Sequence, residues 1–498
     1  MYLLGYDLGS SSVKVSLLDA QSNKLVASAS APEDEMKMGV PHPGWAEQDP
    51  DTWWHYIKEA TAKLKAKTGN KMADVRAVGI AYQMHGLVLV DKDKKVLRPA
   101  IIWCDSRAVG TGSKTEAELG TEFCLEHFLN LPGNFTASKL RWVKENEPAV
   151  FAKVAHFMLP GDFVAMKLTD RIQTTSSGLS EGIFWDFPGD KLSLDMLKAC
   201  GIPEEWVPEI VPVFSKQAMV TQAAASELGI PANIPVAYRA GDQPNNALSL
   251  GCLEAGDVAA TAGTSGVVYA VGQSTNYDAK SRVNTFIHVN HKPHDARYGT
   301  LMCINGTGIL FSWLRHNTGA DMDYPKMDEL SAKVSPGSDD LRIFPYGNGA
   351  ERTLGNTNLG SMIENLHFNT HTQGHLFRAA QEGIVYAFNY GMEIIENMGN
   401  KLKKIKAGKA NMFLSDVFRE VFANVSGKTV ELYDTDGSMG AARGAGIGAG
   451  IFKNNEEAFS GLTQVGVTEP KPALIESYRN HYLHWKTSLE NKLNSLKK

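Results

Sequence analysis

Two stretches of the chain alternate apolar runs with a short turn of small polar residues. The first is "YLLGYDLGSSSVKVSLLD" (2–19), and the second is "VAATAGTSGVVYAVG" (258–272). Each is typical of a strand, a turn rich in Gly, Ser and Thr, and a second strand. The turns begin at Gly9 and Gly263, 254 positions apart in a chain of 498 residues. The pattern therefore predicts two similarly built α/β lobes, with a boundary near 245–255.

Apolar residues at helical spacing follow the strands in both halves. Asp51 is a candidate N-cap, and Trp54, Ile57, Ala60 and Leu64 recur after it at helical intervals. Further helices are predicted at 139–170, 306–319, 375–399, 413–426 and 437–452, and further strands at 75–83, 88–103 and 233–242. This order of elements predicts an α/β fold, with a first domain over 1–248 and a second over 249–498.

The composition limits the classes of partner. Hydrophobic residues make up 43% and charged residues 21% of the chain, and the net charge is −5, so no basic surplus points to nucleic acid. No run of about 18 apolar residues occurs, so no membrane span is expected. The five cysteines form no CxxC pair, and the chain opens on a strand without a basic leader. Reduced thiols and a cytoplasmic location are therefore predicted.

The two Gly-rich turns are candidate phosphate sites. Gly lets the backbone approach a ligand closely, and successive N–H groups with nearby hydroxyls can bind an anion. Either turn alone is equally well an ordinary hairpin turn, and the chain lacks a GxxxxGK[ST] loop. Two such turns, one in each lobe, favour a clamp for a polyphosphate lying between them. Asp7, just before the first turn, adds a carboxylate where a magnesium ion would help neutralise that phosphate.

A second acidic residue lies at the end of a strand. In "PVAYRAGDQPNNALSLG" (235–251), Asp242 ends a strand and precedes a helical pattern, at the edge where open α/β sheets bind ligands. It could be an N-cap, which is the commoner use of Asp before a helix. It could instead be a general base that accepts the proton of a substrate hydroxyl during phosphoryl transfer. The spacing leaves both interpretations open.

Two other strand ends carry residues that suit a sugar. "GIAYQMHG" places Met84 and His85 after one strand, and "IIWCDSRA" places Trp103, Asp105 and Arg107 after another. An aromatic ring offers an apolar face to C–H groups, while carboxylate and guanidinium groups bind hydroxyls directionally. The histidine could equally be a hydrogen-bonded structural residue, and the Asp–Arg pair a structural salt bridge.

Together these pieces resemble the FGGY family of carbohydrate kinases, most closely its xylulose-phosphorylating branch, over nearly the whole chain. The resemblance rests on the ordered motifs "YDLGSSSVKV", "PHPGWAEQDP", "GIAYQMHG", "RPAIIWCDSR", "FTASKLRWVKENEP", "LPGDFVAMKLT", "AGDQPNNALSLG", "AGTSGVVYAV", "IFPYGNGAERT" and "GSMGAARGAG". It implies two ribonuclease-H-like domains that flank a deep cleft, the actin/sugar kinase/Hsp70 fold. It also implies ATP-dependent phosphorylation of a terminal hydroxyl of a ketopentose, in the first place D-xylulose to xylulose 5-phosphate.

The resemblance further implies roles for individual residues. Asp242 matches the general base, and Asp7 together with Asp242 matches the residues near Mg²⁺. The sugar-binding set is Met84, His85, Trp103, Asp105 and Gln243. The nucleotide-binding set is Gly9, Ser10, Ser11, Ser12, Gly263, Thr264, Ser265 and Gly408. ATP and a small-molecule sugar are the implied substrates, and a homodimer is the assembly that family members often adopt.

Three departures from the family's usual pattern bear on function. The glycine run that usually cradles adenosine is "IKAGKANMFLSDVF" (405–418), and a stretch that usually carries aspartates is "QTTSSGLSEGIFWD" (173–186); Gln243 stands where Asn is common. The first departure favours a non-catalytic sugar sensor, whereas Asp7, Asp242 and both turns favour an active kinase. A kinase for another polyol, such as ribulose, a hexulose or glycerol, also stays open.

Overall fold

Two large β-sheets, one from each half of the chain, organise the computed structural model, which describes residues 1–496. In spatial order the first sheet contains Leu25–Ala31, Val13–Asp19, Tyr2–Leu8, Val75–Tyr82, Pro235–Gly241 and Phe214–Met219. The second contains Asn284–Ile287, Tyr298–Ile304, Gly266–Gly272, Asp257–Ala262, Lys404–Gly408, Val430–Tyr433 and Gln464–Thr468. Short strand pairs are Glu47–Gln48 with Ala100–Ile101, Val88–Val90 with His156–Met158, Gln173–Thr174 with Glu209–Ile210, Trp185–Asp186 with Lys191–Leu192, and Arg342–Phe344 with Met362–Glu364.

The two sheets have the same spatial order and the same strand directions. In each sheet, three successive strands pair antiparallel, the third strand and the next two pair in parallel, and a final strand pairs antiparallel at the edge. In the second sheet these strands begin at Tyr298–Ile304. The turn at Gly9 joins the first two strands of one sheet, and the turn at Gly263 joins the equivalent strands of the other. The predicted α/β repeat is confirmed. The second sheet has one additional edge strand, Asn284–Ile287, which has no counterpart in the first.

Helices cover the sheets and fill the connections between their strands. The α-helices are Pro50–Thr68, Val109–Leu119, Thr121–Phe128, Thr136–Asn146, Pro148–Phe151, Pro160–Thr169, Ser176–Glu181, Leu194–Cys200, Gln222–Leu228, Asp242–Ser249, Gly308–Asn317, Tyr324–Ala332, Gln373–Asn397, Asp416–Ser426, Gly437–Gly448, Asn455–Phe459 and Pro472–Ser495. Single 3₁₀ segments are Gly69–Asp74, Glu204–Trp206, Ser338–Asp340, Arg352–Leu354 and Asn411–Leu414. Over residues 1–496, none of the helices combines the length and the apolar character that a bilayer crossing requires.

Local chemistry shifts some of the predicted boundaries. The first long helix has Asp49 as its N-cap, because the Asp49 side chain accepts from the N–H of Asp51, so the prediction of Asp51 as the cap is wrong. The predicted helix over 139–170 is several elements, because Pro148 and Pro160 each begin a new helix.

One helix from each half packs on the sheet of the other half. Helix Asp242–Ser249 follows a strand of the first sheet, yet Ala247 shares an apolar cluster with Ala259 and Tyr269 of the second sheet. The burial of apolar area ties this helix to the half of the chain that follows it.

The reciprocal contact comes from the second half. Helix Gly437–Gly448 follows a strand of the second sheet, and its Ala442 and Ala445 cluster with Leu3 and Ala77 of the first sheet. The predicted division into 1–248 and 249–498 therefore separates two units that exchange helices, and the boundary itself stays a prediction.

Candidate active site

The first turn is held in place by side chains around it. The Gly9 N–H donates to the Ser12 carbonyl oxygen (2.9 Å) and closes the turn. The Gln48 Nε2 donates to the Ser10 carbonyl oxygen (2.6 Å), and the Trp103 Nε1 reaches the Ser10 Oγ (3.4 Å). Trp103 is 47% exposed, so its ring borders this turn and remains open to a ligand.

Asp7 faces the start of a helix from the second half. A Cβ at Gly437 would lie 2.1 Å from the Asp7 Oδ2, so only glycine leaves room for the carboxylate. A helix N-terminus favours negative charge. Burial nevertheless raises the pKa of Asp7 to about 7, and the charges of Asp242 and Asp436 act in the same direction.

Asp242 is the first residue of its helix, and Gly241 is the N-cap. The interpretation of Asp242 as an N-cap is therefore wrong. The Gln243 Nε2 donates to the Asp242 Oδ2 (3.2 Å), which orients the carboxylate. Burial raises the pKa of Asp242 to about 6, within the range that suits a general base working near neutral pH.

The carboxylates around Asp7 fit a divalent cation that arrives with a nucleotide. Asp436 is already engaged by the Lys14 Nζ (2.6 Å) and by the backbone N–H of Met439 (3.0 Å). Asp7 and Asp242 are left with mutually unfavourable charges that a cation would offset. Among residues 1–496, no three His, Cys, Asp or Glu side chains form a metal site of their own. One or two carboxylates are what Mg²⁺ needs when phosphates and water supply its other ligands.

Met84 and His85 lie beside the strand end that carries Asp242. A Cβ at Gly241 would lie 2.6 Å from the Met84 Cγ and 2.6 Å from the Glu181 Oε2, so both side chains border that backbone. The His85 Nδ1 is 2.9 Å from the Glu181 carbonyl oxygen. A carbonyl only accepts, so Nδ1 carries the proton and Nε2 is an acceptor. Burial lowers the pKa of His85 to about 3, which keeps the ring neutral.

Asp105 is fully buried in a salt bridge. Arg107 donates to it through Nε (2.9 Å to Oδ2) and Nη2 (2.6 Å to Oδ2), and the Ala46 N–H donates to Oδ2 (2.6 Å). The Arg107 guanidinium also stacks on the Trp45 ring at 3.8 Å. Asp105 thus makes the structural pair that the sequence left open, and its predicted contact with sugar has no support in this geometry.

The second turn rests on the start of a helix. The Gly263 carbonyl oxygen accepts from the Gly308 N–H (2.8 Å), and the Thr264 carbonyl oxygen accepts from the Ile309 N–H (3.2 Å). A Cβ at Gly308 would lie 2.4 Å from the Gly263 carbonyl oxygen, so glycine is required for this close approach. The carbonyl groups of the turn are therefore occupied on the helix side.

The strand that follows the second turn lies within electrostatic range of Asp242. Cys303 pairs with Val267 of that strand, and burial, together with the charge of Glu351, raises the pKa of the Cys303 thiol to about 12. The charge of Asp242 acts in the same direction, so this part of the second half lies near the carboxylate of the first half.

A cavity of about 840 Å³ opens next to the second turn. Its lining includes Gly263, Thr264, helix Tyr324–Ala332 and much of the stretch from Asn411 to Val417. This volume is in the range of small-molecule sites. Gly408 ends strand Lys404–Gly408 and is not among the lining residues. The stretch 405–418 therefore lines the cavity with residues from Asn411 onward. The prediction of Gly408 as a nucleotide contact has no support in this lining.

Two charged residues of the site, Lys139 and Asp436, were not identified from the sequence. Lys139 is fully buried, and its Nζ donates to the carbonyl oxygens of His85 (2.8 Å) and Ile102 (3.1 Å). Asp436 is the N-cap of helix Gly437–Gly448, which follows strand Val430–Tyr433 and corresponds to the helix that Asp242 begins in the first half. The internal repeat could have identified Asp436, whereas Lys139 looks like an ordinary surface residue of an amphipathic helix.

Two sheets with the same strand order, each with a polar turn between its first strands and each covered in part by a helix from the other half, define the class of the actin-like ATPases and sugar kinases. The family descriptions "FGGY family of carbohydrate kinases, N-terminal domain" and "C-terminal domain" match residues 2–249 and 258–450. The chain belongs to the FGGY family of carbohydrate kinases, and it is an ATP-dependent sugar kinase.

Similar proteins support this assignment along the whole chain. A xylulose kinase of Escherichia coli (strain K12) is 30% identical over 462 residues, which are 92% of this chain and 91% of that protein. The crystal structure of a xylulose kinase from Rhodospirillum rubrum is 27% identical, with a TM-score of 0.90 over 100% of this chain and 99% of that one. A gluconate kinase from Lactobacillus acidophilus shares the fold, with a TM-score of 0.89 at 20% identity over 99% and 98% of the two chains. One fold thus serves kinases of different sugars.

Proposed function

We propose that this protein transfers the γ-phosphoryl group of ATP to the terminal hydroxyl of D-xylulose and forms xylulose 5-phosphate. The observation that carries the proposal is Asp242, a carboxylate oriented by Gln243 that follows Gly241, where Met84 packs, and that lies in electrostatic range of Asp7. The xylulose kinases of Escherichia coli and Rhodospirillum rubrum support the choice of sugar, because they match this chain nearly from end to end.

In the proposed reaction, Asp242 accepts the proton of the attacking hydroxyl. The pKa of about 6 leaves the carboxylate ionised at neutral pH and still basic enough to take a proton as the oxygen attacks phosphorus. The hydrogen bond from Gln243 fixes one carboxylate oxygen, so the other can point to the substrate. No covalent enzyme intermediate is required.

The phosphates are held by backbone and hydroxyl groups of the two turns. Ser10, Ser11 and Ser12 present hydroxyls on one side, and Thr264 and Ser265 present them on the other. Asp7 and Asp242 would hold the magnesium ion, which supplies positive charge to the phosphates when it is bound. The cavity beside Gly263 takes the nucleoside end of ATP.

The sugar lies against Met84, His85, Trp103 and Gln243. The His85 Nε2 accepts a hydrogen bond from a sugar hydroxyl, because its Nδ1 proton is committed to Glu181. The Gln243 Oε1 is buried and has no hydrogen-bond partner within residues 1–496, so a hydroxyl donor would satisfy it. Trp103 and Met84 supply apolar surface for the carbon chain.

A sugar panel tests this function. Purified protein is incubated with ATP, Mg²⁺ and one of D-xylulose, D-ribulose, L-ribulose, D-fructose, gluconate or glycerol, and ADP release is measured in a coupled assay. The highest kcat/KM is expected with D-xylulose. The Asp242→Asn variant is the control for contaminating kinases.

The outcomes of the panel separate the candidate functions. A higher kcat/KM with another sugar would replace D-xylulose and leave the reaction class intact. Binding of a sugar without ADP release, at enzyme concentrations where contaminants are excluded, would support a sugar sensor and contradict a kinase.

A further inference from the structure

The additional strand of the second sheet, Asn284–Ile287, is joined to the first half along its outer edge. Its inner edge pairs with Tyr298–Ile304. An edge strand normally leaves N–H and C=O groups without partners. Here the outward-facing backbone groups of Thr285 and Ile287 are bound by side chains from the first half of the chain.

Asn130 binds the first of these positions. Its Nδ2 donates to the Thr285 carbonyl oxygen (2.8 Å), and its Oδ1 accepts from the Thr285 N–H (3.1 Å). The Asn284 Nδ2 also donates to the Asn130 Oδ1 (2.8 Å). The amide of Asn130 thus takes the place of a neighbouring strand, and all three residues are buried.

Helix Ser176–Glu181 binds the second position. The Ser177 Oγ donates to the Ile287 carbonyl oxygen (3.0 Å), and the Ile287 N–H donates to the Ser180 Oγ (3.0 Å). Both serines are less than 4% exposed. They lie in the stretch "QTTSSGLSEGIFWD" (173–186).

The same strand and the same helix both reach His85. The Phe286 ring lies 5.4 Å from the His85 ring, and Phe135 packs edge-on against that ring at 4.9 Å. The carbonyl oxygen of Glu181, the last residue of the helix, accepts from the His85 Nδ1 (2.9 Å). The imidazole is therefore held through its Nδ1 by the first half and through its face by the second.

We propose that Ser177 and Ser180 are positioning residues for sugar recognition. By bonding Ile287 they fix the helix that holds the His85 Nδ1 relative to the strand that packs Phe286 against the His85 ring, so that Nε2 points at the sugar. The two serines touch neither substrate, and their effect reaches the reaction through His85. This inference rests on the proposed contact between His85 and the sugar.

A double-mutant cycle tests the inference, because residues that act through one another show non-additive effects. The variants are S177A/S180A, His85→Ala and the combination, assayed with D-xylulose, ATP and Mg²⁺. S177A/S180A is expected to lower kcat/KM for D-xylulose at least tenfold in the native background and less than twofold in the His85→Ala background. The KM for ATP at saturating sugar is expected to change less than twofold.

Two controls separate positioning from general loosening. Ser138 is fully buried, and its Oγ donates to the nearby Pro132 carbonyl oxygen (3.1 Å), so Ser138→Ala is expected to leave kcat/KM within twofold. Ser180→Thr and Ser180→Val add the same bulk, and only Thr keeps a hydroxyl. The Thr variant is therefore expected to be several-fold more active than the Val variant, a comparison that stands even if S177A/S180A does not fold.

The outcomes are distinct. An equal loss in both backgrounds, no loss in the native background, or equal activity of the Thr and Val variants would overturn the positioning role and leave the proposed function standing. If His85→Ala itself leaves kcat/KM unchanged, the proposed sugar contact is wrong, and the role of the serines falls with it.

Discussion

At the scale of single residues, the site is defined by carboxylates whose burial makes their charge costly. Partial burial raises the pKa of Asp7 to about 7 and that of Asp242 to about 6, above the usual range for aspartate. Such pKa shifts cluster at functional sites, where a bound substrate or cation offsets the unfavourable charge. The consequences are testable one residue at a time.

Replacing the proposed base tests the chemistry most directly. Asp242→Asn keeps the shape of the side chain and removes its basicity, so kcat is expected to fall by about 100-fold or more. The KM for sugar should change little, and the melting temperature at neutral pH should stay the same or rise, because the raised pKa of Asp242 makes its charge unfavourable in the folded state. Asp195→Asn, at an exposed position of helix Leu194–Cys200, is the matched control. A folded Asp242→Asn enzyme with near-native kcat would show that another group takes the proton.

The pH dependence of the rate follows from the pKa of Asp242. Only the ionised carboxylate accepts a proton, so kcat/KM is expected to rise with pH through about 6 and to level off above about 7. Initial rates between pH 5 and pH 8 at constant ionic strength measure this limb. A flat profile over that range would contradict a base with this pKa.

The charge of Asp7 is expected to lower stability in return for function. Its folded-state pKa is raised from 3.8 to about 7, so the folded state holds the proton more tightly, and the free energy of unfolding falls as pH rises through about 4 to 7. Asp7→Asn removes that cost. We expect a gain of about 1–3 kcal/mol at pH 8, discounted for partial solvent access, a smaller gain at pH 5, and a large loss of kcat.

Urea denaturation of the native protein and the Asp7→Asn variant at both pH values measures this effect. The same gain at pH 5 and pH 8 would mean that the charge of Asp7 is not its source. Full activity of the variant would remove Asp7 from the proposed magnesium site.

At the scale of elements, the exchanged helix Gly437–Gly448 determines how closely the two halves meet. A Cβ at Gly79 would lie 2.0 Å from the Ala441 carbonyl oxygen, and a Cβ at Gly5 would lie 2.0 Å from that of Ser438. The strands of the first sheet therefore need glycine where the helix backbone crosses them. This close contact also brings the start of the helix to Asp7.

Filling that contact is expected to destabilise the protein. Gly79→Ala forces the helix away from the sheet and should lower the free energy of unfolding by about 1–3 kcal/mol, and kcat should fall because Gly437 and Asp7 move apart. Gly110 lies in helix Val109–Leu119 with nothing within 4 Å of its Cβ position, so Gly110→Ala should leave stability unchanged or raise it by up to about 1 kcal/mol. Urea midpoints compare the two, and equal shifts would refute the packing argument.

At the scale of the whole molecule, the helix exchange makes each half depend on the other. The face of the first sheet that carries Leu3, Ala77 and Ala237 is covered by helix Gly437–Gly448. A fragment of residues 1–248 would expose that face to water, and exposed apolar patches of this kind promote aggregation.

The fragment 1–248 is therefore expected to bind a hydrophobic dye or aggregate, whereas the full chain melts in one transition. Co-expression with 249–498 should restore soluble, folded material. A monomeric 1–248 fragment with its own cooperative melting transition would show that the exchanged helix is dispensable for folding.

The sequence by itself determined the repeated strand–turn–strand units, the α/β class and the family. These rest on local patterns: apolar alternation around Gly9 and Gly263, helical spacing after them, and ordered motifs. Gly408 and Asp105 show the limit of such patterns. Each sits in a motif that points to the site, but the Asp105 carboxylate is bound by Arg107 and Ala46, and Gly408 lies outside the lining of the cavity. Contacts between separate parts of the chain decide which groups remain free for a ligand.

Only the tertiary structure decided which half covers which sheet, that His85 is held by Glu181 and Phe286, and that Ser177 and Ser180 bind Ile287. These contacts join positions from 96 residues apart, for His85 and Glu181, to more than 350 apart, for Ala77 and Ala442. Their energies come from burial and hydrogen bonding between surfaces that exist only once both halves are folded, so no local pattern of residues specifies them.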